Sequence, residues 1–101
     1  MVKRPSTLAV RDLARFGVNL ANWRKIQRLT ARMVAERAGI SRDTLRAIEH
    51  GQGGVSIENV FRVLRVLGQS EAVIRAVDAL NSDHGRLVAE RALVSRVRTP
   101  K

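Results

Sequence analysis

The chain has 101 residues, 45% of them hydrophobic, and carries nineteen Lys or Arg against nine Asp or Glu, for a formal net charge of +10. That length fits one domain with a modest apolar core, and the absence of cysteine excludes disulfides, thiolate metal sites and cysteine nucleophiles. No stretch approaches the roughly 20 apolar residues of a membrane span, and Met1 to Val10 lacks the apolar run of a signal peptide, so a soluble, cytoplasmic protein is expected.

Strand-like alternation does not persist anywhere and there is no internal repeat, so the expected fold is all-α, a compact bundle of five to six helices. Residues 1–6 read as a basic arm. Thr7 is placed to cap a helix through Leu8, Arg11, Leu13 and Arg15, and Gly17 either breaks that helix or merely thins it. A clearer helix follows to about Arg28, with Leu20, Trp23, Arg24 and Gln27 along one side. Thr30 suits the N-cap of the next helix, its hydroxyl accepting from a first-turn amide, and Val34, Ala35 and Ala38 then face inward. Gly39 supplies the positive-φ residue that ends this helix. Ile40 plugs the turn, Ser41 caps the next helix, Leu45 and Ile48 anchor it, and Gly51 closes it.

Gln52-Gly53-Gly54 is a loop, after which Ser56 caps a fourth helix with Ile57, Val60, Phe61, Leu64 and Leu67 on one stripe. Gly68 ends it, and Ser70 starts a fifth helix with Val73, Ala76, Val77 and Leu80 inward. Asn81-Ser82-Asp83 reads as a turn before a last short helix around Leu87 to Leu93, and the basic end from Ser95 is expected to fray. The organisation that follows is a basic arm and extra helix over 1–16, a central helical unit over 17–68, and a helical extension with a basic tail over 69–101, available to a dimer or partner.

The charge is uneven. Residues 1–50 hold eleven Lys or Arg against four Asp or Glu (+7), and residues 51–101 hold eight against five (+3). A surplus of this kind is the footprint that nucleic acid requires, although solubility, anionic lipid or an acidic protein face would use it too. Almost all of the cations are Arg, suited to bidentate contacts with phosphate or guanine; GC-rich codon usage favours Arg as well and discounts that preference.

Thr30 to Gly51 reads as two short helices joined by a glycine turn, the second presenting Arg42, Asp43, Arg46 and Ala47 outward. In such a layout one helix braces on the DNA backbone and the next enters the major groove. Arg24, Thr30-Ala31-Arg32-Met33-Val34-Ala35, Gly39-Ile40-Ser41, Thr44-Leu45 and Glu49-His50-Gly51 together resemble the lambda-repressor/Cro family of helix-turn-helix proteins, also called the Xre family. Its pattern is an Arg, then Thr-Gln-x-x-Leu-Ala, Gly-Val-Ser, Thr-Ile and Glu-x-Gly. The resemblance spans about Gly17 to Gly68. One slot departs: the family's Gln, which bonds a phosphate and buttresses the recognition helix, is Ala31 here.

The resemblance implies a recognition helix from Ser41 to His50, with Arg42, Asp43 and Ala47 toward base edges and Thr44 and Arg46 flanking. Arg42 is the candidate for a bidentate contact to guanine; Ala47 either touches a thymine methyl or is a small spacer; Asp43 either accepts from cytosine or, in the preferred reading, orients Arg42 or Arg46. Arg46 suits phosphate better than a base. Backbone contacts fall to Arg28, Thr30, Ala31 and Arg32 around the second helix start, to Ser41, to His50 as an alternative to a C-cap role, and to Gln52 and Gly53 if their loop is more than a connector. Arg24 and Glu49 occupy slots that form an internal salt bridge in the family, and Gly39 and Gly51 are structural.

Trp23 reads as a packing residue, against the N-terminal extension or a partner chain, and His84 as a turn or surface one. Two histidines without cysteine argue against a metal, Asp78, Asp83 and Glu90 form no nucleophile–base pairing, and neither an enzyme nor a cofactor is expected. The expected function is a transcriptional regulator, a repressor binding a palindromic operator as a homodimer, with half-sites about one helical turn apart, in the cytoplasm and nucleoid-associated. The alternative is an antitoxin that neutralises a partner toxin through the segment beyond residue 80 while regulating its own operon, since the extension is similar to that of HipB-type antitoxins. RNA binding ranks third for want of an aromatic stacking surface, and no membrane partner is expected.

Overall fold

The computed structural model describes the backbone from Ser6 to Arg98 and side chains through Val94; the arm expected over 1–6, apart from Ser6, and the last three residues lie outside the described residues. These fold into six α-helices, one 3₁₀ turn and no strand: α1 (Thr7–Ile26), α2 (Ala31–Ala38), α3 (Arg42–Glu49), α4 (Ile57–Val66), α5 (Ser70–Ala76), the 3₁₀ turn (Ala79–Asn81) and α6 (Asp83–Arg98). The chain forms two compact units, Met1–Ser70 and Glu71–Lys101, rather than one.

In the first unit, local capping chemistry sets the helix starts. The hydroxyls of Ser6, Thr30, Ser41 and Ser56 accept from the amides of Ala9, Met33, Thr44 and Asn59 at 3.0–3.2 Å, each satisfying a first-turn donor that the helix leaves unpaired. The Met33 sulfur accepts from the Thr30 amide in return (3.4 Å), and Gly39, at φ 71°, turns the chain out of α2. The core is Leu20 of α1, Val34, Ala35 and Ala38 of α2, Leu45 and Ile48 of α3, and Val63, Leu64 and Leu67 at α4 and its C-cap. α2 packs on α3 and α4, and α1 on α3. Each large aliphatic buried here contributes about 1.5–3 kcal/mol.

Three expectations are corrected in this unit. Ser6 rather than Thr7 is the cap of the first helix. Gly17 neither breaks nor bounds anything: α1 is continuous over 20 residues and Gly17 is buried within it. A Cβ there would lie 2.5 Å from the carbonyl oxygens of Ile48 and Glu49, so the missing side chain lets α1 lie against the end of α3. Finally, Ile57 is 74% exposed while Val63 is buried. Val63, Leu64 and Leu67 are buried and Val60 and Phe61 half-buried, whereas Ile57 is the first residue of α4 and precedes the packed part of the helix.

The second unit is different in kind. Asp78 caps the 3₁₀ turn by accepting from the Leu80 amide (2.9 Å), Ser82 accepts from Gly85 N–H (2.8 Å), and Arg86 donates to the Leu80 carbonyl (2.9 Å) while pairing with Asp83. The last helix starts earlier and continues further than expected, from Asp83 to Arg98. Val73, Ala76, Val77 and Leu80 are not buried, against expectation. A helical pattern identifies which residues are apolar, but this segment supplies too little facing surface to cover them.

Candidate nucleic-acid interface

α3, the start of α2 and the end of α1 line an open hollow of about 430 Å³. Ala31 lines it from the start of α2, Arg42, Asp43 and Arg46 line it along α3, and Arg24, Glu49 and His50 complete it. Ala31 is a single methyl, so at the slot where the resemblance expects Gln the groove is left open.

Arg24 and Glu49, which line this hollow, form a two-point ion pair. Arg24 Nε donates to Glu49 Oε2 at 2.8 Å and Nη2 donates to Oε1 at 3.1 Å, while Nη1 donates to the Leu29 carbonyl at 3.2 Å. The two side chains are 15% and 11% exposed. The hydrogen bonds to Glu49 hold the Arg24 guanidinium above its ordinary range against the opposing effect of burial. A raised value means that this contribution is fully present below the unfolded-state pKa and is lost only as pH rises through the higher folded-state value, so on the Arg24 side it is constant at neutral pH. The pair fastens the C-terminal end of α1 to the last turn of α3.

The remaining α3 charges are differently placed. Arg42, Asp43 and Arg46 are exposed, and none of them forms an ion pair among the described residues. Asp43 therefore orients neither arginine in the free chain; it sits in the first turn of α3, where a negative charge favours the helix dipole. Thr44 and Ala47 are half-buried. Ser41 Oγ donates to Thr44 Oγ1 (2.9 Å) while accepting from the Thr44 amide, so both hydroxyls are engaged in the cap.

At the start of α2 the Thr30 and Met33 amides are satisfied within the cap, and those of Ala31 and Arg32, in the first turn, are not among the hydrogen bonds of the described residues. Such a terminus attracts anions. Arg32 leans on Glu36 (3.3 Å) with both side chains well exposed, a pair worth at most about 1 kcal/mol and easily given up. Arg28 is exposed, without an ion pair among the described residues, and takes φ 60° where α1 ends. Left-handed backbone at a residue other than glycine costs roughly 1–2 kcal/mol.

His50 is the C-cap of α3, its amide donating to the Arg46 carbonyl (2.9 Å). The Gln52 amide is already committed to the Ala47 carbonyl (2.9 Å), so in this loop Gln52 has its side chain to offer, beside the amide of Gly53. Gly51, at φ 70°, has a second constraint: a Cβ would lie 2.6 Å from the Ala14 Cα. Trp23 is 41% exposed. His84 is exposed.

Sequence reasoning missed four features. The role of Gly17 depends on a contact with residues about thirty positions away. Gln27 donates to the Leu67 carbonyl (2.8 Å) and Arg62 to the Ala38 carbonyl (3.3 Å), both satisfying helix-end acceptors. Arg37, Arg62 and Arg65 share one shallow surface depression; the i, i+3 spacing in α4 could have indicated the last two.

No helix among the described residues is long and apolar enough to cross a membrane. Residues 20–74, just over half of the chain, match the family described as HTH_3, helix-turn-helix. No curated protein and no solved structure matches the chain.

Proposed function

The chain belongs to the HTH_3 helix-turn-helix family of DNA-binding transcription regulators, and on that premise we propose that α3 enters the major groove as the recognition helix of a homodimer on a palindromic operator. The observation that carries this reading is that Arg42, Asp43 and Arg46 stand exposed along one side of α3, beside the α2 terminus, with no ion pair among the described residues. Arg42, in the first turn, reads guanine; Ala47 lies close enough to the helix surface to meet a thymine methyl; Asp43 steers Arg42 or Arg46 once DNA is present. Thr44 flanks them. Arg46 falls to phosphate.

The Ala31 and Arg32 amides, with the side chains of Thr30, Arg32 and Arg28, brace on one phosphate run, and Ser41, His50, the Gln52 side chain and Gly53 on the other. Arg24, Glu49, Gly39 and Gly51 hold the two helices at their angle. An occupied operator excludes competing proteins, which makes repression the simplest outcome. In this reading residues 17–68 carry the DNA-reading part, with the first turns of α1 leading into them without a break, and residues 69–101 serve association.

Sequencing DNA retained by the purified protein tests the reading. One enriched inverted repeat is the expected result, and no enrichment over random DNA overturns it. On the enriched site Arg42→Ala should cost about 1–3 kcal/mol and relax the preference at one base per half-site. An antitoxin role is the second reading, motivated by the uncovered apolar side chains of α5 and α6. It requires a toxin seated on them, and a chain that is stably dimeric through those residues with no further partner would end it.

A further inference from the structure

The second unit exposes Ile74, Val77, Leu80, Leu87, Val88, Leu93 and Val94. Along α6, Leu87, Glu90, Arg91 and Val94 recur at i, i+3, i+4 and i+7, the spacing of one helix face. The 3₁₀ turn packs on α6 on the other side, where Gly85 lies against the Ala79 carbonyl and Ala89 is half-buried. Leu87 is 56% and Val94 45% exposed, and neither Glu90 nor Arg91 forms an ion pair among the described residues.

The order of this stripe matches its own reversal. Reflection about the point between residues 90 and 91 exchanges Leu87 with Val94 and Glu90 with Arg91. We infer that this face of α6 packs antiparallel on the same face of α6 from a second copy of the chain, around a two-fold axis between residues 90 and 91. Leu87 then meets the partner's Val94, and Glu90 meets the partner's Arg91, each contact occurring twice as an isologous interface demands. A parallel pair would set Glu90 against Glu90 and Arg91 against Arg91. A single such face is small, so the free dimer is weak and concentration-dependent, and it joins two reading heads so that DNA binding becomes bivalent. This inference rests on the homodimer reading and gives it a surface.

Sedimentation velocity of the full chain across concentration measures the dimer, with far-UV circular dichroism confirming that each variant is folded. Glu90→Arg and Arg91→Glu should each raise the dimer Kd by at least about tenfold, since each replaces two attractive contacts with two repulsive ones. Mixing the two single variants, or combining both changes in one chain, should restore association. Because the chain has no cysteine, oxidative cross-linking gives the direction of the helices without background. Leu87→Cys with Val94→Cys should yield a covalent dimer. Leu87→Cys alone should not, because the antiparallel arrangement separates the two copies by roughly 10 Å along the axis, beyond the Cα reach of a disulfide.

Cross-linking by Leu87→Cys alone overturns the inference. So does a wild-type dimer that is indifferent to both charge reversals and does not cross-link through the double variant; the homodimer reading would then stand on another surface, such as the apolar groove of Leu13, Phe16, Ile57 and Val60. A wild-type chain that stays monomeric both free and on its selected DNA sinks the inference and the homodimer reading together.

Discussion

Gly17 and Gly51 act as a pair, each allowing backbone to approach backbone where α1 meets the end of α3 and the turn after it. Glycine inside a helix normally loses about 0.5–1 kcal/mol to alanine, so Gly17→Ala would stabilise an exposed position. Here the added methyl would meet two carbonyl oxygens at 2.5 Å, and backbone on both sides gives way less readily than a side chain. Thermal denaturation of Gly17→Ala should show a loss of about 3 kcal/mol, at the upper end of the usual cost of overpacking; an unchanged or raised Tm would refute the close approach. Glu49→Ala leaves Arg24 with its Leu29 contact and an unpaired, mostly buried charge. The expected cost is about 3 kcal/mol, at the low end for a buried pair because both side chains keep some solvent, which lowers Tm by roughly 12–24 °C in a unit of this size. DNA affinity measured well below the new Tm should fall much less than stability does.

At the scale of the element, the reading helix is short and its start depends on one side chain. Ser41 caps α3 and locks the Thr44 hydroxyl, in an eight-residue helix too short to persist on propensity alone. Ser41→Ala should cost about 1 kcal/mol of stability, and amide exchange in the first turn of α3 should quicken more than exchange in α4. Equal protection in both helices would show that packing of Leu45 and Ile48 suffices. Ala31 shows the complementary limit. Its position at the start of α2 was legible from the motif, whereas the hollow beside it depends on where α3 places Arg42 and Arg46.

Across the whole molecule, the charge surplus becomes a salt dependence. Each Lys or Arg that neutralises a phosphate lowers log K by roughly 0.9 per tenfold rise in salt. Removing Arg28 should therefore reduce that slope by about one and weaken all DNA sequences alike, while removing Arg42 should chiefly erase discrimination at one base. Equal slopes for Arg28→Ala and wild type would take Arg28 off the phosphates. The α-helical class, the caps at Thr30, Ser41 and Ser56, the glycine turn at Gly39 and the pairing of Arg24 with Glu49 were all readable in the chain, because caps, turns and periodicity are local and the pair sits in a recurrent motif. Close approach at Gly17, the outward side of Ile57, and the uncovered faces of α5 and α6 were not, since each depends on what another segment does or fails to place opposite. Sequence by itself determined the helices and the residues offered for reading, through spacing and hydrogen-bonding groups carried within a few positions. Only the tertiary structure decided which glycines admit backbone, which cations stand unpaired, and which apolar face is left to a partner, because burial and pairing are relations between segments distant along the chain.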